Sequence, residues 1–297
     1  MSPRPLVSLV ITTKNEAKNI DHCLASIAAQ TYQPIETIVV DNQSTDDTKE
    51  RARKYTDLVF DKGPERSAQR NYGLLEKSQG ELLMFIDADM ILASNLIEEA
   101  VKLMLEGGHV ALHLPEIVLG KNFFSQVRRF ERRFYDGTVI DGARFFSKEK
   151  LAEIGGFDES MSGPEDWDLD KKFKQIGSIG LLLAPSAAQS PEIKTLLLER
   201  GVDPADYGAV VYHNEAEFDL TAYLKKKGYY AQSFDGYIQK WGADDPDIRR
   251  QFSPAYRFCG VFIEHGKWLR LAAHPFLSLG MYFLRFMVGL KFLTRKR

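Results

Sequence analysis

A chain of 297 residues, 44% apolar and 27% charged, is long enough to bury a sizeable core and has the make-up of an ordinary globular protein, which excludes wholesale disorder. A formal net charge of −2 gives no electrostatic reason to expect nucleic acid as the partner. Cys23 and Cys259 lie far apart in no metal or redox spacing, as expected of free thiols in a reducing, cytoplasmic compartment, and the stretch "MSPRPLVSLV" lacks the pattern of a signal peptide.

The first half alternates strands and helices. "LVSLVIT" (Leu6 to Thr12) is a continuous β-branched run, as in a strand buried on both faces. Ile20, Leu24, Ile27 and Ala28 then share one helical face. "IETIVVD" (Ile35 to Asp41) predicts a second strand, and "STDDTKERARKY" opens with an N-cap signal and continues as a polar helix. "DLVF" predicts a short third strand, "SAQRNYGLLEKS" a helix and "ELLMFID" a fourth strand. This alternation implies βαβ units, a mainly parallel sheet and a ligand site beyond the carboxyl ends of the strands, where Asp41 and Asp87 fall.

Beyond Asp89 the pattern loosens. "NFFSQVRRFERRFYDG" predicts a basic amphipathic helix with Phe123, Val127, Phe130 and Phe134 on one side and Arg128, Arg129, Arg132 and Arg133 largely elsewhere. A Gly- and acid-rich loop leads into a helix from about Asp166, and residues 184–209 suggest a surface insertion around one short helix. From Lys267 on, the chain carries Lys267, Arg270, Arg285, Lys291, Arg295, Lys296 and Arg297 and no acid, so near-neutrality hides a basic tail on an acidic body. The stretch from Pro275 to Leu293 approaches the ~20 residues of a membrane span. The wider apolar stretch from Trp268 to Leu293 is interrupted by His274 and Pro275 and contains Arg285. Lys267, Arg270, His274, Ser278 and Arg285 follow helical spacing and would share one stripe, which fits a helix lying in a membrane interface. The alternative is a C-terminal helix packed on the body.

Asp87 and Asp89 end an apolar strand with only Ala88 between them. A strand would point both carboxylates to one side, where their repulsion favours a neutralising cation, and oxygen ligands at an open site suit Mg²⁺ or Mn²⁺. The alternative, a pair of helix N-caps before "SNLIEEAVKLM", is weakened because Ser94 already supplies that role.

With "VSLVITTKNEAKNIDHCLASIAAQTY", "IETIVVDNQSTDDT", "AQRNYG", "GELLMFIDADM", "IGGFDE" and "GPEDWDL" in order, the chain from about Pro5 to Glu217 resembles a family 2 glycosyltransferase. The resemblance implies an inverting enzyme of α/β class with the GT-A fold, a Rossmann-like, mainly parallel sheet flanked by helices. It implies a catalytic domain over 1–218, with a nucleotide-sugar half to about residue 92 and an acceptor half from 93. Residues 219–297 would form a helical, basic, membrane-associated extension. "DAD" matches the family's DxD motif: Asp89 would hold Mn²⁺ or Mg²⁺, Asp87 would contact the ribose or the metal through water, and Ala88 would lie against the donor. Thr12, Asn15 and Glu16 match the first nucleotide-binding loop, and Asp41 the carboxylate that accepts a hydrogen bond from the base, usually uracil. Arg66 and Arg70 could reach the diphosphate or the base, Arg70 fitting "RN-x-G" better and Arg66 having a surface-charge alternative. Asp166 matches the catalytic base, with Glu165 as a neighbour in reach of the acceptor. For Asp168 an acid favoured by the helix dipole suffices. His213, after an apolar run, matches a third metal ligand, whereas His22, His109 and His113 have no such context. Residues 184–209 depart from the shorter link expected between the base and His213.

The donor implied is a nucleotide-sugar, most simply a UDP-sugar. The arginines 128, 129, 132 and 133, with Arg285, suggest an anionic membrane surface and a polyprenyl phosphate or diphosphate acceptor carrying a saccharide, on the cytoplasmic membrane face. A solvated basic face is the alternative. Three other readings stand beside this one. Direct transfer to polyprenyl phosphate is the nearest. A haloacid-dehalogenase-like phosphoryl transferase is disfavoured because Ile91 stands where Thr or Val is wanted. A membrane-recruited nucleotide-binding protein without catalysis is opposed by the intact "DAD" and Asp166.

Overall fold

The computed structural model describes residues 4–293. The first half runs β1 (Val7–Thr13), α1 (Ile20–Ala28), β2 (Ile35–Asp41), α2 (Thr48–Ala52), β3 (Val59–Asp61), α3 (Arg66–Asn71), a π-helical turn (Tyr72–Lys77) and β4 (Leu82–Asp87). It continues through β5 (Met90–Leu92), α4 (Leu96–Gly107), β6 (Ala111–His113), β7 (Glu116–Val118), α5 (Phe123–Arg132), β8 (Ala143–Ser147), α6 (Lys148–Glu153), α7 (Glu165–Ile176), β9 (Ile179–Leu181), α8 (Pro191–Glu199) and β10 (Val211–His213). Helices α9 (Leu220–Tyr230), α10 (Phe234–Trp241), α11 (Pro246–Phe252), α12 (Val261–Ile263), α13 (Leu269–Ala273) and α14 (Pro275–Leu293) complete the described chain.

Seven strands form one sheet in the order β3-β2-β1-β4-β8-β6-β9, and β5, β10 and β7 form a second, small one. The pairs β1–β2, β1–β4 and β2–β3 are parallel and the interior strand β1 is buried along its whole length, as its β-branched run requires. Leu9, Ile11, Met84 and Ile86 face one core with α1 and α4; Val10, Val40, Leu83 and Phe85 face another with α6 and α7. The expected polar helix after β2 is reduced to the short α2, because the side chains of the preceding loop bind that loop itself: Ser44 is held by Asp41, and Asp46 Oδ1 accepts from Thr48 N at 3.1 Å.

Residues 184–209 are more than a surface insertion. Ile193 and Leu197 of α8, with Val202, enter the main core. The C-terminal helices are likewise built into the body: Val127 and Phe130 of α5, with Phe134, share a core with Val261, Phe262, Met281 and Leu284. At Gly280 any side chain would collide, its Cβ falling 2.7 Å from Val127 and 2.9 Å from Phe123, so glycine there lets α14 lie close on α5. Phe123 itself, expected on the buried stripe of α5, is exposed.

Candidate functional site

The strand register assembles the site. Thr12 stands opposite Asp87 and Thr13 opposite Asp41, so the three strand ends meet at one edge where the order reverses around β1. Thr12 Oγ1 donates to Asp87 Oδ1 at 2.9 Å. The chain then turns, with buried Ala88 donating its N–H to the Thr12 carbonyl at 3.2 Å, and enters β5, where Met90 pairs antiparallel with His213 of β10. Asn214 N donates to the Asp89 carbonyl at 2.7 Å. This crossing brings residues 124 positions apart together, with His213 Nε2 lying 3.1 Å from Asp89 Oδ2.

On its other side, His213 Nδ1 lies 3.0 Å from Glu116 Oε1 and 3.4 Å from Glu215. Burial opposes a charge on this imidazole, but the Asp89 and Glu116 carboxylates outweigh it and hold its pKa well above the ordinary value. Glu116 is itself buried, and Arg132 with His213 keeps its carboxyl well below the usual range despite that burial. Asp89 Oδ1 is buried and has no hydrogen-bond partner. One orphaned carboxylate oxygen beside an imidazole nitrogen is a donor set that fits Mn²⁺ or Mg²⁺ when the remaining ligands are oxygens of substrate or water. Among the described residues no three His, Cys, Asp or Glu side chains gather into a metal cage. Asp87, expected to share the cation, is committed to Thr12 and to arginine instead.

Arg70 explains that commitment. Nearly wholly buried, it extends Nη2 to Asp87 Oδ1 at 3.3 Å and Nη1 to Asp166 Oδ1 at 3.0 Å, and its guanidinium lies 4.2 Å from the Phe85 ring. Burial would raise the Asp87 pKa, but Arg70 and Arg66 outweigh it and hold the carboxyl well below the usual range. Arg66 is not a loose surface charge. It pairs with Glu165 at 3.1 Å and reaches Tyr230 Oη at 3.2 Å and Asp87 at 4.0 Å. Asp166, at the start of α7, keeps 30% of its side chain exposed, whereas Glu165 keeps 3%. Glu165, expected within reach of the acceptor, is enclosed by Arg66, Arg70 and the Gly163 N–H. Asp168 is fully buried and ties α7 to α10 through Lys240 at 2.8 Å and Trp241 Nε1 at 2.7 Å.

The loop after β1 is organised by its neighbour after β2. Asn15, at φ 54°, donates its N–H to Ser44 Oγ at 2.7 Å and accepts from Thr45 N at 2.8 Å. Asp41 is fully buried and accepts from Ser44 N and Oγ at 2.7 and 2.5 Å, so here it shapes the loop and does not line the cavity. Glu16 binds Asn19 Nδ2 at 2.8 Å; burial, opposed by that bond and joined by Asp89 and Asp87, raises its pKa.

A cavity of about 460 Å³ opens over this edge, lined by Thr12, Glu16, Arg66, Asp87, Ala88, Asp89 and His213 among others. Its far wall was not foreseen from sequence: Lys226, Tyr229 and Tyr230 of α9 complete it. Gly163, at φ 115°, admits that wall, since a Cβ there would fall 2.7 Å from Tyr230 Cβ. The tyrosine and lysine cluster in "YLKKKGYY" is the signal the sequence offers for that wall. A further cavity of about 530 Å³ around 185–189 and 203–208 shares none of these residues.

The arginines expected at an acceptor or membrane surface are largely turned inward. Arg132 pairs with Asp141 at 3.0 Å and Glu116 at 3.6 Å; Arg128 lies 4.9 Å from the Tyr223 ring and 3.7 Å from Glu131. Arg129 donates to the Val118 carbonyl at 3.1 Å, and Arg133 sits over the Tyr207 ring at 5.6 Å. Arg285 is buried against Glu131 at 2.9 Å and donates to Tyr135 Oη at 2.8 Å. Helix α5 is enclosed by β7 on one side and the C-terminal helices on the other, so its long cationic stems find buried acids and carbonyls. The single polar stripe expected on the C-terminal helix is also absent among the described residues. The chain breaks between α13 and α14, Lys267 donates to the Phe134 and Asp136 carbonyls at 3.1 and 2.9 Å, and Arg285 is internal. Arg295, Lys296 and Arg297 lie outside the described residues.

The model of the family described as "Glycosyl transferase family 2" matches residues 8–156. "Glycosyltransferase AglE" of Haloferax volcanii is 36% identical over 129 residues, 38% of this chain and 42% of that protein. The "UDP-Glc:alpha-D-GlcNAc-diphosphoundecaprenol beta-1,3-glucosyltransferase WfgD" of Escherichia coli is 27% identical over 105 residues, 34% of this chain and 42% of that one. The chain thus spans about half the length of curated relatives that it matches. Among solved structures, the mannosyltransferase PcManGT from Pyrobaculum calidifontis, in complex with GDP-Man and Mn²⁺, superposes with a TM-score of 0.57 at 20% identity, covering 98% of this chain and 85% of that one. S. aureus TarS does so with a TM-score of 0.53 at 17% identity, covering 90% and 45%. These two likenesses concern the fold, which is GT-A. Sheet order, the aspartates at its carboxyl edge and the matched half of the sequence agree, and the chain belongs to glycosyl transferase family 2.

Proposed function

We propose that the chain is an inverting, metal-dependent glycosyltransferase. In this reading it moves a sugar from a nucleotide-sugar, in the first instance a UDP-sugar, to a lipid-linked saccharide at the cytoplasmic face of a membrane. One observation carries the chemistry. Arg70 links Asp87, at the cavity edge beside Asp89 and His213, to the partly exposed carboxylate Asp166 on α7.

In this reading Thr12, Glu16, Lys226 and Arg66 surround the donor, with the two cationic side chains matched to its diphosphate. Asp89 and His213 would hold the divalent ion, which when bound neutralises charge on the departing diphosphate. Asp166 takes the proton from the acceptor hydroxyl as that oxygen bonds to the anomeric carbon, while the bond to the diphosphate oxygen breaks on the opposite face, so configuration inverts. Arg70 fixes the direction in which Asp166 points. The lipid-diphosphate acceptor is supported by the diphosphoundecaprenol-linked acceptor in the name of WfgD and by the apolar C-terminal helices.

The test is in two stages. Nucleotide-sugars are screened by thermal shift with and without Mn²⁺, and a UDP-sugar is expected to stabilise the chain in a Mn²⁺-dependent way. The same labelled donor is then offered with polyprenyl diphosphate-linked saccharide and with polyprenyl monophosphate. Label on the saccharide, lost by a factor of at least ~100 in Asp166→Asn, is the expected result. Label only on the monophosphate would replace the acceptor in this reading, and full activity of Asp166→Asn would remove its base.

A further inference from the structure

The body of α14 is packed, but one side of it is not. Met281, Leu284 and Arg285 are buried against the protein, while Phe276, Leu279, Phe283, Phe286 and Leu290 remain between 42% and 79% exposed. Their spacing of three, four, three and four places them on one stripe, roughly 21 Å long at 1.5 Å per residue. Trp268 and Leu269, just ahead of it in the chain, are also exposed, at 52% and 60%. At roughly 200 Å² per phenylalanine, the three Phe rings alone leave roughly 350 Å² in solvent, already as large as the biggest apolar patch of a typical monomer.

We infer that this stripe is a docking face for an anionic lipid bilayer, into whose headgroup region α14 lies sideways. The charge pattern selects that occupant. The last acid in the sequence is Glu264, and exposed Arg270 and Lys291 stand at the two ends of the stripe. A second copy of the chain seated on the same stripe about a two-fold axis would bring like charges, Arg270 and Lys291, towards each other across it. The geometry agrees. No helix among the described residues is long and apolar enough to cross a membrane, and α14 is held along the body through Arg285 and Glu131, so it presents one side only. The same helix packs on α9, whose Lys226, Tyr229 and Tyr230 wall the cavity. A bilayer bound here places the lipid surface one helix away from the donor cavity. The inference rests on the glycosyl-transfer reading only for what that lipid delivers.

The experiment is flotation of the full chain with vesicles of phosphatidylcholine and of phosphatidylcholine with phosphatidylglycerol, read together with tryptophan emission. The chain is expected to float with the anionic vesicles and to shift its emission to the blue. Trp268→Phe should abolish most of that shift while flotation persists. Phe276→Ser/Phe283→Ser/Phe286→Ser should lower vesicle binding at least tenfold, and Arg270→Glu/Lys291→Glu should remove the preference for anionic lipid. Circular dichroism and the nucleotide-sugar thermal shift of each variant are expected to match the parent chain, which separates failure of this face from failure of the donor site. Absence of flotation, equal flotation with neutral vesicles, or a dimer in sedimentation that the triple variant dissociates would overturn the inference.

Discussion

Arg70 Nη1 lies 3.0 Å from Asp166 Oδ1, a contact across 96 residues that joins the strand-end carboxylate Asp87 to the start of α7. The guanidinium is almost entirely buried and is also shared with Asp87 and, at 3.8 Å, with Glu165. Removing one cation from such a group strands several acids, which costs far more than the net worth of the pairs. Arg70→Met is therefore expected to lower stability by about 3–5 kcal/mol, read from urea unfolding. Arg70→Lys keeps the charge but loses the planar fork. It should fold and bind donor while turnover falls on the order of 100-fold, as expected when a base loses its orientation. A Met variant as stable as the parent would show that the three acids find other partners.

Glu116 occupies the inner side of His213 at 3.0 Å from Nδ1, and Arg144 at 3.2 Å and Arg132 at 3.6 Å hold it there. A carboxylate in that position fixes which ring nitrogen carries the proton and would leave Nε2 to the proposed cation beside Asp89. Glu116→Gln is expected to weaken Mn²⁺ binding 10–100-fold, measured as free Mn²⁺ by electron paramagnetic resonance with no substrate present. An unchanged titration curve would assign the ring's orientation to the backbone of β10 alone.

His113 has a structural task. It lies 2.5 Å from Asp170 and 3.7 Å from Asp141 in the interior, and Asp170 also accepts from Ala143 N at 2.8 Å. Burial opposes its charge, but the two carboxylates override this and hold its pKa up to about 9, against an ordinary 6.5. A raised folded-state pKa contributes stability that is complete below the unfolded value and is lost as pH rises through the folded one. Stability is thus expected to fall between about pH 6.5 and pH 9, by on the order of 3 kcal/mol. In His113→Asn the decline over that window should flatten. Parallel curves for the two proteins in denaturant titrations would exclude His113 as the group responsible.

Arg285 and Glu131 lie 2.9 Å apart between α14 and α5, with the Phe262 ring 4.4 Å from the guanidinium. Arg285→Met leaves Glu131 buried without this partner. It is expected to cost about 3 kcal/mol and to speed amide exchange along α14. The double variant Arg285→Met/Glu131→Leu should regain much of that loss, since an apolar pair fills the same space without desolvated charge. If the double variant is no more stable than the single one, the pair is dispensable and packing alone seats the helix.

Thr12, Asp41, Asp87 and Asp89 were placed from sequence because strand period is a local property. An apolar β-branched run must be a buried strand, and a carboxylate at its end must leave the core, as Asp87 and Asp89 do, or find donors there, as buried Asp41 does in Ser44. His213 was visible for the same reason, as a polar residue ending another apolar run, and the Glu165–Asp166 helix start was visible from its acidic first turn. What the sequence could not show was which groups meet across 97 to 164 positions: Glu116 with His213, and Arg66 with Tyr230 of α9. Glu116 stood in "HLPEIV" as an acid among apolar residues, yet nothing local says what neutralises it. The arginines of α5 make the point most clearly. Their spacing described a helix with cations on most sides, but amphipathicity does not say what lies against each face. A long arginine stem satisfies a buried acid as readily as a phosphate. Tertiary packing turned Arg128, Arg132 and Arg285 inward and left Phe276, Leu279 and Phe286 outside, because exposure depends on what the rest of the chain covers.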